Sequence, residues 1–294
     1  MYVLMNSTHA LSWGILTPFV FIFSLYIKRP SGHLKDHPDE IKRRCWVVGI
    51  TTLLWNILFY YLNSHEHLSS QGPGIMTWIG ISFTFPNYLS VICALAMTNV
   101  LFAGSLVQVL FEDPPEIKRN LISMKEYIMI PIFEETMYRS CLITCLISGG
   151  FGWSSMWISD LLYSLSLFYQ IEDVINFKRK TSLQSLTPVL FQIFFKSIFG
   201  LYAGYVFIVT GSLYSVIVVN SFTKFMGLPN FKFLEHTHPA HKYKNAIIFT
   251  YASGVCVFAT LQYLMMNPEF FNSWHAEFSI GALIIEIKID IQVS

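Results

Sequence analysis

The sequence has little charge. Asp, Glu, Lys and Arg make up 13% of its 294 residues against 53% hydrophobic ones, and the formal net charge is +1. That shortage excludes an ordinary soluble enzyme, of whose residues about a quarter are charged. The near-neutral balance also lacks the concentrated basic face that a phosphate backbone requires, so no nucleic-acid partner is expected. Cysteine is scarce too: Cys45, Cys93, Cys141, Cys145 and Cys256 never form a CxxC pair and fall mostly in apolar runs, where they read as small packing residues. There is no Gly-rich phosphate loop, no internal repeat and no polar linker that would separate soluble domains. No cofactor and no metal is expected, and one membrane domain over residues 1–294 is the simplest organisation. The first apolar run lacks a basic leader, and Lys28-Arg29 follows it in stop-transfer fashion, so it reads as a retained span rather than a signal peptide.

What the chain does have is long apolar runs. Spans are expected at Ala10 to Ile27, Trp46 to Leu62, Ser90 to Phe111, Tyr127 to Ile147, Ser155 to Tyr169, Leu186 to Val209, Leu213 to Phe222 and Ala246 to Met266. Most approach the roughly 20 residues a tilted helix needs. Ser155 to Tyr169 and Leu213 to Phe222 are short, as partly embedded helices, re-entrant elements or helices that end beside a polar cavity are. The run Ile75 to Phe85, stopped by Pro86-Asn87, reads as an interfacial or kinked lead-in to the third span. The fold class is therefore all-α: a polytopic membrane protein with about eight transmembrane helices around an intramembrane cavity.

Basic residues alternate between connections. Lys28, Arg29, Lys35, Lys42, Arg43 and Arg44 lie in the first loop, Lys118, Arg119 and Lys125 after the third span, Lys178-Arg179-Lys180 after the fifth, and Lys224, Lys232, Lys242 and Lys244 after the seventh. The intervening connections carry none, which puts the basic loops in the cytosol and both termini on the other side. Asn6-Ser7-Thr8 has the form of a glycosylation sequon but reads as a chance tripeptide close to the membrane. The segment from residue 267 to 294 is then a lumenal tail. From Phe278 to Val293 it alternates in a strand-like or interfacial pattern to which no function is assigned.

The most informative stretch is Glu134-Glu135-Thr136-Met137-Tyr138-Arg139, which lies inside the fourth span. An ionisable group at that depth costs at least about 2.5 kcal/mol on insertion scales, so such groups mark either a site or an internal ion pair that fixes packing. Glu135 and Arg139 are four apart and share a helical face, where pairing lowers the cost of both. Glu134 is rotated about 100° away and left without that arginine, as a carboxylate kept free to act as a base would be. Two neighbouring carboxylates in low dielectric do not both ionise easily, which suits one of them to take a proton from water. Lys196, in the sixth span, is expected to snorkel or to pair with a carboxylate.

The run Lys125 to Cys141, centred on Glu134-Glu135 and Arg139, resembles the EExxxR signature of the type II CAAX prenyl endopeptidases and continues, as in the eukaryotic branch, with Arg139-Ser140-Cys141. A second block, Leu201 to Tyr205, Thr210 to Tyr214 and Asn220 to Pro229, resembles the family's last motif. Together they cover residues 120–229 as a CAAX-protease-like core. The resemblance implies a glutamate intramembrane protease of the endoplasmic reticulum membrane that removes the last three residues of prenylated CaaX proteins, with the lipid bilayer delivering the prenyl chain. It implies that a motif glutamate, Glu134 or Glu135, activates water, with two histidines and an asparagine from later helices assisting. The oligomeric state is left open.

At those helper positions the chain departs from the pattern. Leu167 stands at the first histidine, Asn220 at the second and Lys224 at the asparagine, and all nine histidines lie outside the expected spans. Losing one oxyanion donor typically costs about 10²- to 10³-fold in rate, so cleavage is expected to be weak or absent. Asn220 as a donor, Lys224 as a charge and Tyr169 or Gln170 from the end of the fifth span are the available substitutes. The site residues expected are thus Glu134, Glu135, Arg139, Asn220 and Lys224. The alternative function is a non-catalytic relative that binds prenylated tails or a membrane partner. A channel or transporter would call for paired Gly/Pro-broken helices in repeated halves, and none are seen.

Overall fold

The structure, a computed structural model, describes residues 5–27, 37–67, 74–111, 120–168, 183–229 and 231–280. Among them every regular element is helical. Helix α1 is Ser7–Tyr26, α2 Pro38–His67, α3 Phe85–Leu101 and α4 Ala103–Val109; α5 spans residues 121–148; α6 is Ser154–Ser166, α7 Leu183–Thr210, α8 Leu213–Met226 and α9 Lys244–Met265. Each expected span coincides with one of these helices or, for α3 and α4, with a pair of them.

α1 starts where the Asn6 side chain accepts a hydrogen bond from the Thr8 amide (3.1 Å), so the sequon tripeptide serves as a helix cap. At its other end Arg43 of α2 donates to the carbonyls of Leu25 (2.9 Å) and Ile27, closing off acceptors that the helix leaves open. Arg43 and Arg44 also hold the buried Glu40. Burial opposes the Glu40 charge, yet hydrogen bonds from the two guanidinium groups outweigh it and bring that carboxyl down to about 2.

The third span is not one straight helix, as expected from the sequence, but two that meet at Phe102 with a bend of 69°. No proline marks the break. It coincides with close packing by α9: a Cβ on Gly104 would lie 2.2 Å from the Tyr251 ring, and one on Gly254 would lie 2.7 Å from the Val100 carbonyl oxygen. Small residues at such crossings let helices approach where apolar burial gives no preference for helix over lipid.

α5 is the axis of the bundle. It contains two π-helical stretches, Lys125–Met129 and Thr136–Ile143, on either side of Ile130–Glu135. Pro131 lacks the amide that would bond back to Tyr127, which favours a widened turn just before it. Helices α1, α2, α6, α7 and α8 all pack on the second π stretch. Tyr138, Leu142 and Leu146 face one apolar cluster with Phe21 and Tyr163, while Ile143 and Ile147 face another with Val206 and Phe207.

Beyond Glu134 and Arg139, α5 also anchors the connection before α3. Ile75–Trp78 makes a single turn, and the carbonyls after it are held by Ser140 (Oγ to Ile79 O, 2.7 Å) and Thr144 (Oγ1 to Trp78 O, 3.2 Å). The segment after α9 is docked as well. Ser273 donates to the Ile208 carbonyl (2.6 Å), and His275 Nε2 lies 3.2 Å from both Trp78 O and Thr144 Oγ1. The alternating pattern expected from Phe278 is overturned for its first residues. Residues 274–280 are helical, with the Phe278 ring tilted against that of Trp274 one turn back (4.6 Å between centres), and 281–293 lie outside the described residues.

By length and composition alone, three stretches among the described residues can cross a membrane, Ser7–Tyr26, Val189–Thr210 and Pro239–Met265, and the bent α3–α4 pair makes a fourth if it is one span. α5 carries Glu134, Glu135 and Arg139 in its middle, and α6 and α8 have only 13 and 14 residues. These helices are shortened or made polar where they meet a common site.

Two predictions arise from this packing. Gly104→Ala forces a methyl into the Tyr251 ring and is expected to lower the Tm in detergent, by about 1–3 kcal/mol of stability, whereas Gly74→Ala, with nothing within 4 Å, leaves Tm unchanged. His275 is pulled by burial from its ordinary 6.5 to about 4, the Trp78 carbonyl offsetting part of that. The unfolded chain therefore takes up this proton at a higher pH than the folded one. Stability is expected to be lost as pH falls from about 6.5 toward 4, by about 1.4 kcal/mol for each pH unit crossed. Thermal scans across that range should show a steeper loss for the wild type than for His275→Gln.

Candidate functional site

Glu134, Glu135 and Arg139 of α5 are 4%, 1% and 1% exposed, so each charge must be met inside the protein. Glu135 Oε2 lies 3.3 Å from Arg139 Nε, the i,i+4 pairing expected from the spacing. Arg139 also donates from Nη2 to the Gly200 carbonyl (3.0 Å) and sits 4.7 Å from the centre of the Tyr163 ring. Gly200 of α7 is small for a reason: a Cβ there would lie 2.1 Å from Asp160 Oδ1 and 2.9 Å from Arg139 Nη2. Asp160, buried on α6, accepts from Ser197 (2.8 Å), which accepts from Ser164 (2.9 Å).

α8 supplies the other half. Asn220 and Lys224 are four residues apart and project from one side of it toward α5. Lys224 Nζ is 2.7 Å from Glu134 Oε2. Asn220 Nδ2 donates to Glu135 Oε1 (2.5 Å) and to Glu134 Oε2 (3.4 Å), and the Tyr163 hydroxyl donates to the same Glu134 oxygen (3.4 Å). All five residues expected at the site therefore meet. One expectation is overturned: Glu134 lacks Arg139 but is not kept free, because Lys224 reaches it from 90 positions along the chain, beyond what spacing within one helix can reveal.

Three further residues are at the site or directly behind it. Tyr163, four residues before Leu167, is the one that faces Glu134, whereas Leu167 is buried in the apolar cluster with Tyr138 and Ile193 and does not line the cavity. Asp160 is a lone acid inside an apolar run, and the rule that singled out Glu134 applies to it equally. Gly200 carries no signal in the sequence. Tyr169 and Gln170 lie outside the described residues. Lys196 lines the cavity within electrostatic reach of Glu134.

The cavity has a volume of about 860 Å³. Phe21, Val48, Phe133 and Phe195 contribute apolar wall, and Arg44 and the Lys125–Glu126 pair (3.1 Å) contribute charged wall. Among the described residues no group of three His, Cys, Asp or Glu could hold a metal. The chemistry present is a carboxylate pair with amide, ammonium and phenol donors. Glu134 Oε2 already collects three donors, more than its lone pairs comfortably serve, so water entering here must use Oε1 or displace Lys224.

Removing Lys224 takes from buried Glu134 the cation in direct contact with it. Lys224→Met is expected to destabilise the protein by an amount near the lower end of about 3–5 kcal/mol, and Glu134→Gln in the same chain to recover most of it. A double-mutant cycle of Tm values in lipid measures that coupling.

Residues 121–226 match the family model described as type II CAAX prenyl endopeptidase Rce1-like. The chain is 25% identical over 276 residues to CAAX prenyl protease 2 of Homo sapiens, covering 86% of this chain and 80% of that protein. It is 24% identical over 210 residues to CAAX prenyl protease 2 of Arabidopsis thaliana (62% of this chain, 65% of that one). To the probable CAAX prenyl protease 2 of Schizosaccharomyces pombe it is 24% identical over 226 residues (71% and 78%). No solved structure matches the chain.

Proposed function

Because this chain belongs to the type II CAAX prenyl endopeptidase family, we propose that its cavity receives the prenylated C-terminal tails of CaaX proteins and hydrolyses them slowly or not at all. The observation that carries this reading is the 2.7 Å contact between Lys224 and Glu134. A base must hand its lone pair to water at the moment of attack, and here a cation from α8 holds it. Glu135 and Arg139 support the carboxylate pair, and Asn220 is the remaining neutral donor. The apolar wall suits an isoprenoid chain, which gains about 0.8 kcal/mol per buried CH₂.

A second reading, an active endopeptidase with a changed helper set, is favoured by the convergence of Asn220, Lys224 and Tyr163 on one carboxylate, since those donors would also face a developing oxyanion. Both readings share a setting. The chain is a membrane protein, and on either reading α1 to α9, with α3 and α4 as one broken span, are eight spans with the basic loops in the cytosol, in the endoplasmic reticulum membrane that the resemblance implies. Residues 120–229 act as the core of a single membrane domain, and 267–294 as a tail on the other side.

The test is tripeptide release from a farnesylated CaaX peptide by the purified chain in lipid, beside CAAX prenyl protease 2 of Homo sapiens. Saturable binding is expected, with release at least about 10²-fold below that control. Release at a similar rate, abolished by Glu134→Ala in a chain that still folds, would establish the second reading instead. Absence of any binding would remove both.

A further inference from the structure

Glu40 of α2 is 1% exposed and faces two guanidinium groups where one would balance it. Arg43 alone meets both of its oxygens, donating from Nε to Oε2 (2.8 Å) and from Nη2 to Oε1 (2.6 Å). Arg44 adds a bond from Nε to Oε1 (2.7 Å), and its two Nη groups donate to none of the described residues. Arg43 turns its other donors to the end of α1, whereas the Arg44 side chain, 17% exposed, stands in the cavity wall. A guanidinium anchored at Nε keeps its outer edge in a fixed plane, and the two parallel N–H groups on that edge match a carboxylate. Glu40 thus orients Arg44 without occupying the fork it presents.

The place of that fork matches one end of a prenylated tail. A Cβ on Gly49 would lie 3.3 Å from the Phe133 ring, which sets α2 beside the residue that precedes Glu134. Arg44 is five residues nearer the start of α2, about 7–8 Å along its axis. Its neighbour Cys45 is within electrostatic reach of Lys125, which precedes Glu134 by more than two turns of α5, so both helices place Arg44 on the same side of Glu134. The inference rests on the reading of the cavity as a prenyl-tail site, with the carbonyl of the prenylated cysteine at Glu134. The terminal carboxylate of an intact CaaX tail is then three residues further on, about 10 Å away in an extended chain. It reaches the level of Arg44 while the isoprenoid stays on the Phe133 side of the wall. We propose that Arg44 is a specificity-determining residue that holds the free α-carboxylate of the last residue, and that Glu40 is the residue that positions it. A tail blocked as an amide, or continuing past this point, brings no anion to the fork.

The experiment uses the full chain in lipid nanodiscs and two probes, a farnesylated CaaX peptide with a free C-terminal carboxylate and the same peptide as its carboxamide. The acid is expected to bind about tenfold more tightly, the step one charged contact supplies. Arg44→Met should bring the acid down to the affinity of the amide while the amide still binds, which also shows that the variant folds. Arg44→Lys, a cation without the fork, should keep only part of the preference. Equal binding of acid and amide by the wild type would overturn the inference and leave the prenyl-tail reading standing, as would a full preference retained in Arg44→Met. Should Arg44→Met not fold, Arg44→Lys decides: an undiminished preference overturns the assignment, and a reduced one with the amide still bound supports it. Failure of both probes to bind the wild type would remove the reading on which the inference rests.

Discussion

A carboxylate inside an apolar bundle is costly unless a cation and hydrogen-bond donors reach it, and α5 sets that requirement twice on adjacent residues. Glu135 meets it locally, through Arg139 one turn along. Glu134 meets it only by recruiting Lys224 and Asn220 from α8 and Tyr163 from α6. Much of the arrangement follows. α8 must approach α5 with its polar side inward, α6 must present Tyr163, and α7 must bring a glycine to Arg139 so that Asp160 can stand behind the guanidinium. Helices drawn to a common polar centre are short or interrupted by charge, which is why α5, α6 and α8 fall short of simple membrane spans.

The same pairing bears on chemistry. A base that activates water needs a lone pair that water can reach, and a buried cation at hydrogen-bond distance competes for it. Where a neutral donor would assist without occupying the base, Lys224 binds it.

The far half of α5 is structural by comparison. Ser140 and Thr144 hold the segment that leads into α3, and His275, kept neutral by burial, ties the region after α9 to the same segment. The polar residues there are hydrogen-bonded to backbone carbonyls, whereas those around Glu134 converge on side-chain charge. That division along one helix separates the part that holds the fold from the part that faces the cavity.

Much was legible in the sequence because it depended on neighbours in the chain. Apolar runs located the helices, adjacent acids in such a run pointed to the candidate site, and i,i+4 spacing paired Glu135 with Arg139, since helical geometry converts these short separations directly into contacts. Asn220 and Lys224 were reachable only through their place in a motif. What the tertiary structure decided were contacts between distant segments: Lys224 on Glu134 from another helix, Tyr163 rather than Leu167 facing the site, Gly200 making room for Asp160 beside Arg139, the bend at Phe102 where Tyr251 and Gly254 press in, and His275 buried although it lies outside every apolar run. Periodicity within one helix says which residues share a face, but which foreign side chain that face meets is set by the packing of whole helices.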